Sequence, residues 1–458
     1  MEMENTSKER VLALREVQTR ALAAGKTLDI GGRKRNLKAL RTAVLKWEQE
    51  LAVALWKDLH KSYEEAYLTE ISIVLSEIDN HLHNIGKWTA PHRVCTPLKM
   101  FPSRSSVISE PLGNSLIIAP WNYPVQLLLN PLVGALSAGC TAVLKPSPYV
   151  PAVSTVIGEM IAETFPEEIV AVVQGNREVN RLLLDLKWDL IFFTGSPALG
   201  KMVMEAASRN LTPVVLELGG KSPCIVDKDA DIEVATRRIA WGKSLNAGQT
   251  CIAPDYLMIH EDVKARFLPA LEREFRRLLG ENPKESRHFV RIVNDRAFER
   301  LNGYLSCGKI IFGGHTDAGE RYFEPTVLDD VDPHSPVMEE EIFGPIFPII
   351  TFRTTDEALH FINSRPKPLA LYYFGKNGDQ ILRHTSSGGA CINDTIMHIA
   401  NENLPFGGVG NSGMSSYHGK RSFDAFTHYR AVVNTPTWID MPFRYMPYKL
   451  FGLVKKLL

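Results

Sequence analysis

The sequence predicts an α/β protein built from two doubly wound domains, and three observations carry that expectation. Its 458 residues suffice for two to three packed units at roughly 150 residues each. Hydrophobic residues make up 45% and charged residues 23%, a balance that supports a substantial core rather than disorder. Short apolar runs alternate with helix-like segments in two successive series, the pattern of parallel sheets with crossover helices.

From residue 11 to about residue 88 the chain is charge-rich, with Leu37, Leu40, Val44, Leu51 and Leu55 at helical spacing. Only Gly31-Gly32 interrupts this region, which predicts two or three helices. A first strand series follows at 115–119, 141–144, 170–173 and 190–193, each run succeeded by a helical segment. A second series, at 256–259, 309–312, 347–350 and 369–373, predicts a second α/β domain beginning near Leu218. Two strand-like stretches, 105–110 and 430–433, stand outside both series, and no repeat or low-complexity tract is present.

The 52 basic residues balance 52 acidic ones, which offers no footprint for nucleic acid and suits small neutral ligands. Six cysteines, at 95, 140, 224, 251, 307 and 391, form neither a Cys-x-x-Cys pair nor a disulfide framework, so a reducing cytoplasm is expected. The 13 histidines include no His-Glu-x-x-His or similar ligand spacing, and no metal is expected. The charged N-terminal residues argue against a signal peptide, and no uncharged apolar stretch is long enough to span a bilayer.

Two segments set reactive side chains among small residues: Leu216-Glu217-Leu218-Gly219-Gly220-Lys221-Ser222-Pro223 and Asn246-Ala247-Gly248-Gln249-Thr250-Cys251. A thiol and a carboxylate are the groups needed to form a thioester and then hydrolyse it, the chemistry of aldehyde oxidation. An isolated cysteine is more often a buried structural one, so the company Cys251 keeps matters. These segments, with Pro120-Trp121-Asn122-Tyr123-Pro124, Phe193-Thr194-Gly195-Ser196, Glu341-Ile342-Phe343-Gly344-Pro345 and Pro405-Phe406-Gly407-Gly408, resemble in content and order the motifs of the NAD(P)-dependent aldehyde dehydrogenases. The resemblance runs from about residue 10 to about residue 436. Trp241-Gly242-Lys243 and Ser416-Tyr417-His418-Gly419-Lys420 are most similar to the short class-3 branch, which includes enzymes of fatty and aromatic aldehydes.

The resemblance implies a division of labour. Cys251 is the nucleophile, since a planar carbonyl cannot expel hydride and a tetrahedral alkoxide can. Asn122 and the Cys251 backbone N–H form the oxyanion hole. Glu217, flanked by Leu216 and Leu218 and so expected to be desolvated with a raised pKa, is the base that brings water to the thioester. Trp121, Lys145, Gly195, Ser196, Gly200, Glu341 and Phe343 match positions that bind NAD or NADP. Gly195 and Ser196 open a helix after a strand, where backbone N–H groups can meet a pyrophosphate, although the turn is not the G-x-G-x-x-G fingerprint. Lys145 matches the lysine at the adenosine ribose, but Pro148 replaces the Glu of many NAD-preferring relatives, so NADP is expected to be accepted. Lys243 is a candidate neighbour of the thiol, with a solvated lysine as the alternative.

The same resemblance implies a Rossmann-like dinucleotide-binding domain (1–95 and 113–217), a catalytic domain (218–422), and an oligomerisation arm (96–112 and 423–440) that pairs with a second subunit in a homodimer. In the tail, 441–458, Leu450, Val454, Leu457 and Leu458 fall on one helical face, with Lys449, Lys455 and Lys456 away from it. This tail is expected to pack on its own dimer, the alternative being a peripheral membrane contact that admits lipid aldehydes. The expected substrates are medium- or long-chain aliphatic, or aromatic, aldehydes, and the expected products are carboxylates. Two other readings stay open at this point: acylating oxidation, in which a thiol cofactor intercepts the thioester, and a catalytically silent scaffold. Glu217 favours water over the first, and the complete set of Asn122, Glu217 and Cys251 argues against the second.

Overall fold

The computed structural model describes residues 4–448, 451, 452 and 455. The N-terminal region forms more helices than the apolar spacing predicts: Lys8–Ala23, Ile30–Lys46, Glu48–Leu59, Tyr63–Ala66 and Ser72–Thr89, with a π-helical turn, Tyr67–Ile71, before the last. Gly31 and Gly32 do not mark the break but lie in the first turn of Ile30–Lys46. The break comes just before, where the Asp29 carboxylate accepts from the Gly31 and Gly32 N–H groups and caps the helix. Among the described residues no helix is long and apolar enough to cross a membrane.

The first strand series forms one sheet in the order Gly413–Met414, Val214–Leu218, Leu190–Gly195, Asn114–Ile118, Thr141–Lys145, Val170–Val172. All pairings are parallel except the one made by Gly413–Met414. Helices cover both faces, which is why these strands read as unbroken apolar runs. Helix Gln126–Ala138, buried at every residue, packs beneath Asn114–Ile118 and Thr141–Lys145.

The second sheet has the order Lys309–Phe312, Thr326–Asp329, Ile346–Phe352, Tyr256–His260, Pro223–Val226, Ala370–Phe374, Gly389–Ile392. Lys309–Phe312, expected as a member of a parallel series, is instead its antiparallel edge. Thr326–Asp329, Pro223–Val226 and Gly389–Ile392 are strands that the apolar runs do not announce.

Arg104–Pro111 pairs along its whole length with Thr427–Asn434, antiparallel, and His92–Val94 adds a third strand. Residues 92–94, placed with the dinucleotide-binding segment on sequence grounds, therefore pair with the arm. Gly413–Met414, inside the segment 218–422, returns to the first sheet. The tail residues Leu450, Val454, Leu457 and Leu458, on which the amphipathic face depends, lie outside the described residues.

Candidate active site

Parallel strands held in register end together, and their carboxyl edge is where open α/β sheets take ligands. Ile118 pairs with Phe193 and Thr194 with Glu217, so Trp121, Asn122, Gly195, Ser196 and Glu217 emerge along that edge of the first sheet. The second sheet contributes from its opposite end, because Lys221, Cys251, Glu341 and Phe343 each come shortly before one of its strands. Between the two sheets lies a cavity of about 700 Å³ whose wall includes all nine of these residues.

Strand alternation explains Glu217. Leu216 and Leu218 point into the core with Phe193 and Val203, which turns Glu217 to the other face. The residue is 3% exposed, neither carboxyl oxygen has a hydrogen-bond partner, and burial pushes its pKa well above the ordinary carboxylate range.

Cys251 is a free, half-buried thiol. Burial first, then the Glu341 and Glu217 carboxyls, push its pKa up, so its resting form is protonated. Asn122 donates from Nδ2 to the Gln249 carbonyl at 3.1 Å, which orients the amide and leaves its second hydrogen for a ligand in the cavity. The Asn122 Oδ1 is buried without a partner. The Tyr123 hydroxyl lies 2.7 Å from Thr250 Oγ1 beside the thiol.

Glu341 folds over the Gly219-Gly220 turn, where the Gly220 N–H partly offsets the rise that burial gives its carboxyl pKa. A Cβ on Gly219 would collide with Glu341 Oε2, so this turn is glycine because a side chain occupies the space above it. The other oxygen, Oε1, has no partner, and burial raises the pKa of this carboxyl too. Phe343 meets Trp121 edge-on, with ring centres 5.4 Å apart.

Lys145 and Gly200 are not on the cavity wall. Lys145 is buried at the end of Thr141–Lys145, donates from Nζ to the Pro146 carbonyl at 2.8 Å, and is lowered by burial to a pKa of about 8. Gly200 lies in helix Pro197–Ser208, where a Cβ would sit 2.6 Å from Leu218 Cδ2, so its observable task is to let helix and strand close together. Ser196 caps that helix, its Oγ accepting from the Leu199 N–H at 3.4 Å.

The solvated alternative for Lys243 is corrected. It is fully buried rather than solvated, and its Nζ, without a hydrogen-bond partner, lies 4.9 Å from the Phe347 ring centre. Burial lowers its pKa to about 8, and the charges that bear on it most are those of Asp255, Lys221, Glu341 and Cys224.

Among the wall residues given no role from the sequence, Tyr417 and Lys221 stand in quoted motifs. Tyr417 is fully buried with an unpartnered hydroxyl, and its phenol pKa is raised by burial and then by Glu217 and Cys251. A tyrosine between serine and histidine carries no local signal of such a place. Lys221 donates to Asp255 Oδ2 at 2.6 Å and to the Val337 and Glu340 carbonyls at 2.8 and 2.9 Å, which anchors the segment bearing Glu341. Among the described residues no group of His, Cys, Asp and Glu is arranged to hold a metal ion.

Comparison with known proteins gives this geometry a context. The aldehyde dehydrogenase family profile matches residues 1–432. The chain is 48% identical over 428 residues to 4,4'-diaponeurosporen-aldehyde dehydrogenase of Staphylococcus aureus, covering 92% of this chain and 93% of that one. It is 43% identical over 440 residues to the dimeric NADP-preferring aldehyde dehydrogenase of Canis lupus familiaris, covering 94% and 97%. A solved structure, the substrate-bound state of Staphylococcus aureus AldH, superposes with a TM-score of 0.96 at 46% identity over 98% of this chain and 99% of that one. A cavity between two α/β sheets, walled by a thiol, an amide and two buried carboxyls, thus coincides with similarity along nearly the whole sequence: the chain belongs to the aldehyde dehydrogenase family, enzymes that oxidise aldehydes to carboxylates with NAD or NADP.

Proposed function

We propose that this chain oxidises medium- or long-chain aliphatic, or aromatic, aldehydes through a thioester on Cys251, with water as the final acceptor. The observation that carries the reading is the convergence of Cys251, Asn122 and Glu217 on one cavity that Trp121, Glu341 and Phe343 also wall.

The residues present fit a dinucleotide. The unpartnered Glu341 oxygen suits ribose hydroxyls, and the N–H groups opening helix Pro197–Ser208 beside Gly195 and Ser196 suit a pyrophosphate. A nicotinamide held there would supply the hydride acceptor. The Cys251 thiol loses its proton to solvent, the sulfur adds to the aldehyde carbon, and the carbonyl oxygen becomes an alkoxide. The Asn122 amide and the Cys251 N–H hold that charge until hydride departs and the C=O re-forms as a thioester. Glu217 in its ionised form then accepts a proton from water, hydroxide adds to the thioester carbon, the C–S bond breaks, the Glu217 proton passes to sulfur, and the acid that leaves ionises to carboxylate by losing its own proton to solvent.

Further support concerns setting. The relative named dimeric and NADP-preferring supports a homodimer and use of NADP, and exposed Val94, Leu98, Phe101 and Val433 on and beside the arm strands suit a subunit contact. All six cysteines are free, in keeping with a reducing cytoplasm. The division at residues 1–95 and 113–217, 218–422, and 96–112 with 423–440 remains our working assignment of cofactor, catalytic and arm segments. Following dinucleotide reduction over a panel of aldehydes of varied length and aromaticity, with both dinucleotides, tests the reading. Carboxylate should form in step with reduced dinucleotide; an acyl thioester product, or no reduction with any aldehyde, would sink it.

A further inference from the structure

We infer that Glu65 is a positioning residue of the oxyanion hole, holding from the N-terminal helices the turn that aims Asn122 and Cys251; the inference rests on the roles proposed for those two residues. Asn246, Ala247 and Gly248, just ahead of Gln249-Thr250-Cys251, all take left-handed backbone conformations, with φ of 51°, 51° and 71°. Such a run at residues other than glycine persists only where the surroundings over-determine it. Glu65, in helix Tyr63–Ala66, provides a determinant, accepting from the Asn246 N–H at 2.8 Å.

The restraint passes onward through Asn246. Its Nδ2 donates to the Asn122 and Gln249 carbonyls, both at 3.0 Å, and the Gln249 carbonyl in turn orients the Asn122 amide. The neighbours of Glu65 secure the other half of the same assembly. Lys61, fully buried, donates to the Asn122 carbonyl at 3.1 Å and to Glu70 at 2.6 Å, and Glu70, placed by the π-helical turn, receives the Val125 N–H at 2.8 Å. Lys61 and Glu70 therefore fix the loop after Asn114–Ile118, and Glu65 is the member that reaches the turn before the thiol. Burial raises the Glu65 carboxyl to a pKa of about 7 against the pull of Lys61 and the Asn246 N–H, with Glu70 adding to the rise and Tyr123 facing the group from the loop.

Removal of this acceptor frees the turn and with it the aim of the Asn122 amide, an interaction used in the transition state rather than in dinucleotide binding. Glu65→Ala and Glu65→Gln test this with wild type, measuring kcat, the dinucleotide KM and the thermal midpoint. Glu65→Ala should lower kcat by about tenfold with an unchanged dinucleotide KM, and Glu65→Gln, whose amide oxygen accepts the same N–H, should return to within about twofold of wild type. Wild-type kcat in the alanine variant, or equal losses in both, overturns the inference. Should the alanine variant fail to fold, Glu65→Asp, which keeps the charge but falls short of Asn246, decides: low kcat supports the role and wild-type kcat overturns it. Activity retained by Cys251→Ser would overturn the site reading itself, whereas an inactive Cys251→Ser beside a normal Glu65→Ala overturns this inference alone.

Discussion

Two parts of the cavity wall are built in opposite ways. Around Cys251 and Asn122, the Gln249 carbonyl receives two amide hydrogen bonds, the Asn122 carbonyl receives two more, and the Gln249 side chain ties Asn246 to Arg291 and Val293. Elsewhere on the same wall, both Glu217 oxygens and Glu341 Oε1 are buried with no partner at all. The first arrangement is that of a preorganised centre, which must hold a developing charge at a fixed place without reorganising. The second leaves carboxyls free to change protonation or meet a ligand, at a cost in stability that a structural role would not justify.

The sharpest way to break this contrast is to exchange one group on each side. Cys251→Ser should give no measurable reduction of dinucleotide, whereas Glu217→Gln should give a burst of about one equivalent per site and then stall, because deacylation lacks its base. Rapid-mixing absorbance reads both, and wild-type steady-state turnover in Glu217→Gln would remove that residue from the mechanism. Asn122→Ala should cost roughly a hundredfold or more in kcat, with a much smaller change in aldehyde KM.

Glu217 also makes a prediction about pH. Its carboxyl is raised in the folded protein, so as a base it becomes competent only as pH climbs through that raised value, and turnover should rise across a range above that of an ordinary carboxylate. The sign for stability is opposite. Stability from the buried neutral acid is complete below the unfolded pKa of about 4.3 and is lost as pH rises towards the folded value. Glu217→Gln should therefore melt above wild type at neutral and alkaline pH and match it near pH 4, by calorimetry across that range. An equal melting temperature at every pH would mean that solvent already relieves the carboxyl.

The smallest effect concerns the dinucleotide. With Pro148 in place of a carboxylate beyond the buried Lys145, NADP should serve nearly as well as NAD, and Pro148→Glu should raise NAD selectivity by one to two decades on a carboxylate term of about 1–3 kcal/mol. Rejection of NADP by wild type of more than about a thousandfold, roughly 4 kcal/mol, would place selection elsewhere.

What could be read in advance follows from how local each signal was. The strands Asn114–Ile118, Thr141–Lys145 and Leu190–Gly195 are buried on both faces, so burial wrote itself into the sequence as apolar runs. Pro223–Val226 opens on proline after a glycine turn, and Gly413–Met414 is two residues long, so only their distant partners make them strands. Cys251 and Glu217 were legible because their motifs surround them. Tyr417 was not, since its place on the wall depends on Phe192 and Phe406 packing edge-on against its ring. The burial of Lys243 is likewise written in residues remote from it, Asp255, Glu341 and Phe347.

The strand carrying Glu217 has Leu190–Gly195 on one side and Gly413–Met414 on the other, and Arg104–Pro111 waits for Thr427–Asn434. Both closures join segments separated by much of the chain, and a ribosome releases each closing piece long after its partner. Until then the nascent protein presents two open strand edges, each a template for a neighbouring chain, and bringing their partners home carries the entropy of very long loops. Folding should therefore finish slowly and from the C-terminal side, with the buried Glu217 carboxyl among the last groups to reach its place.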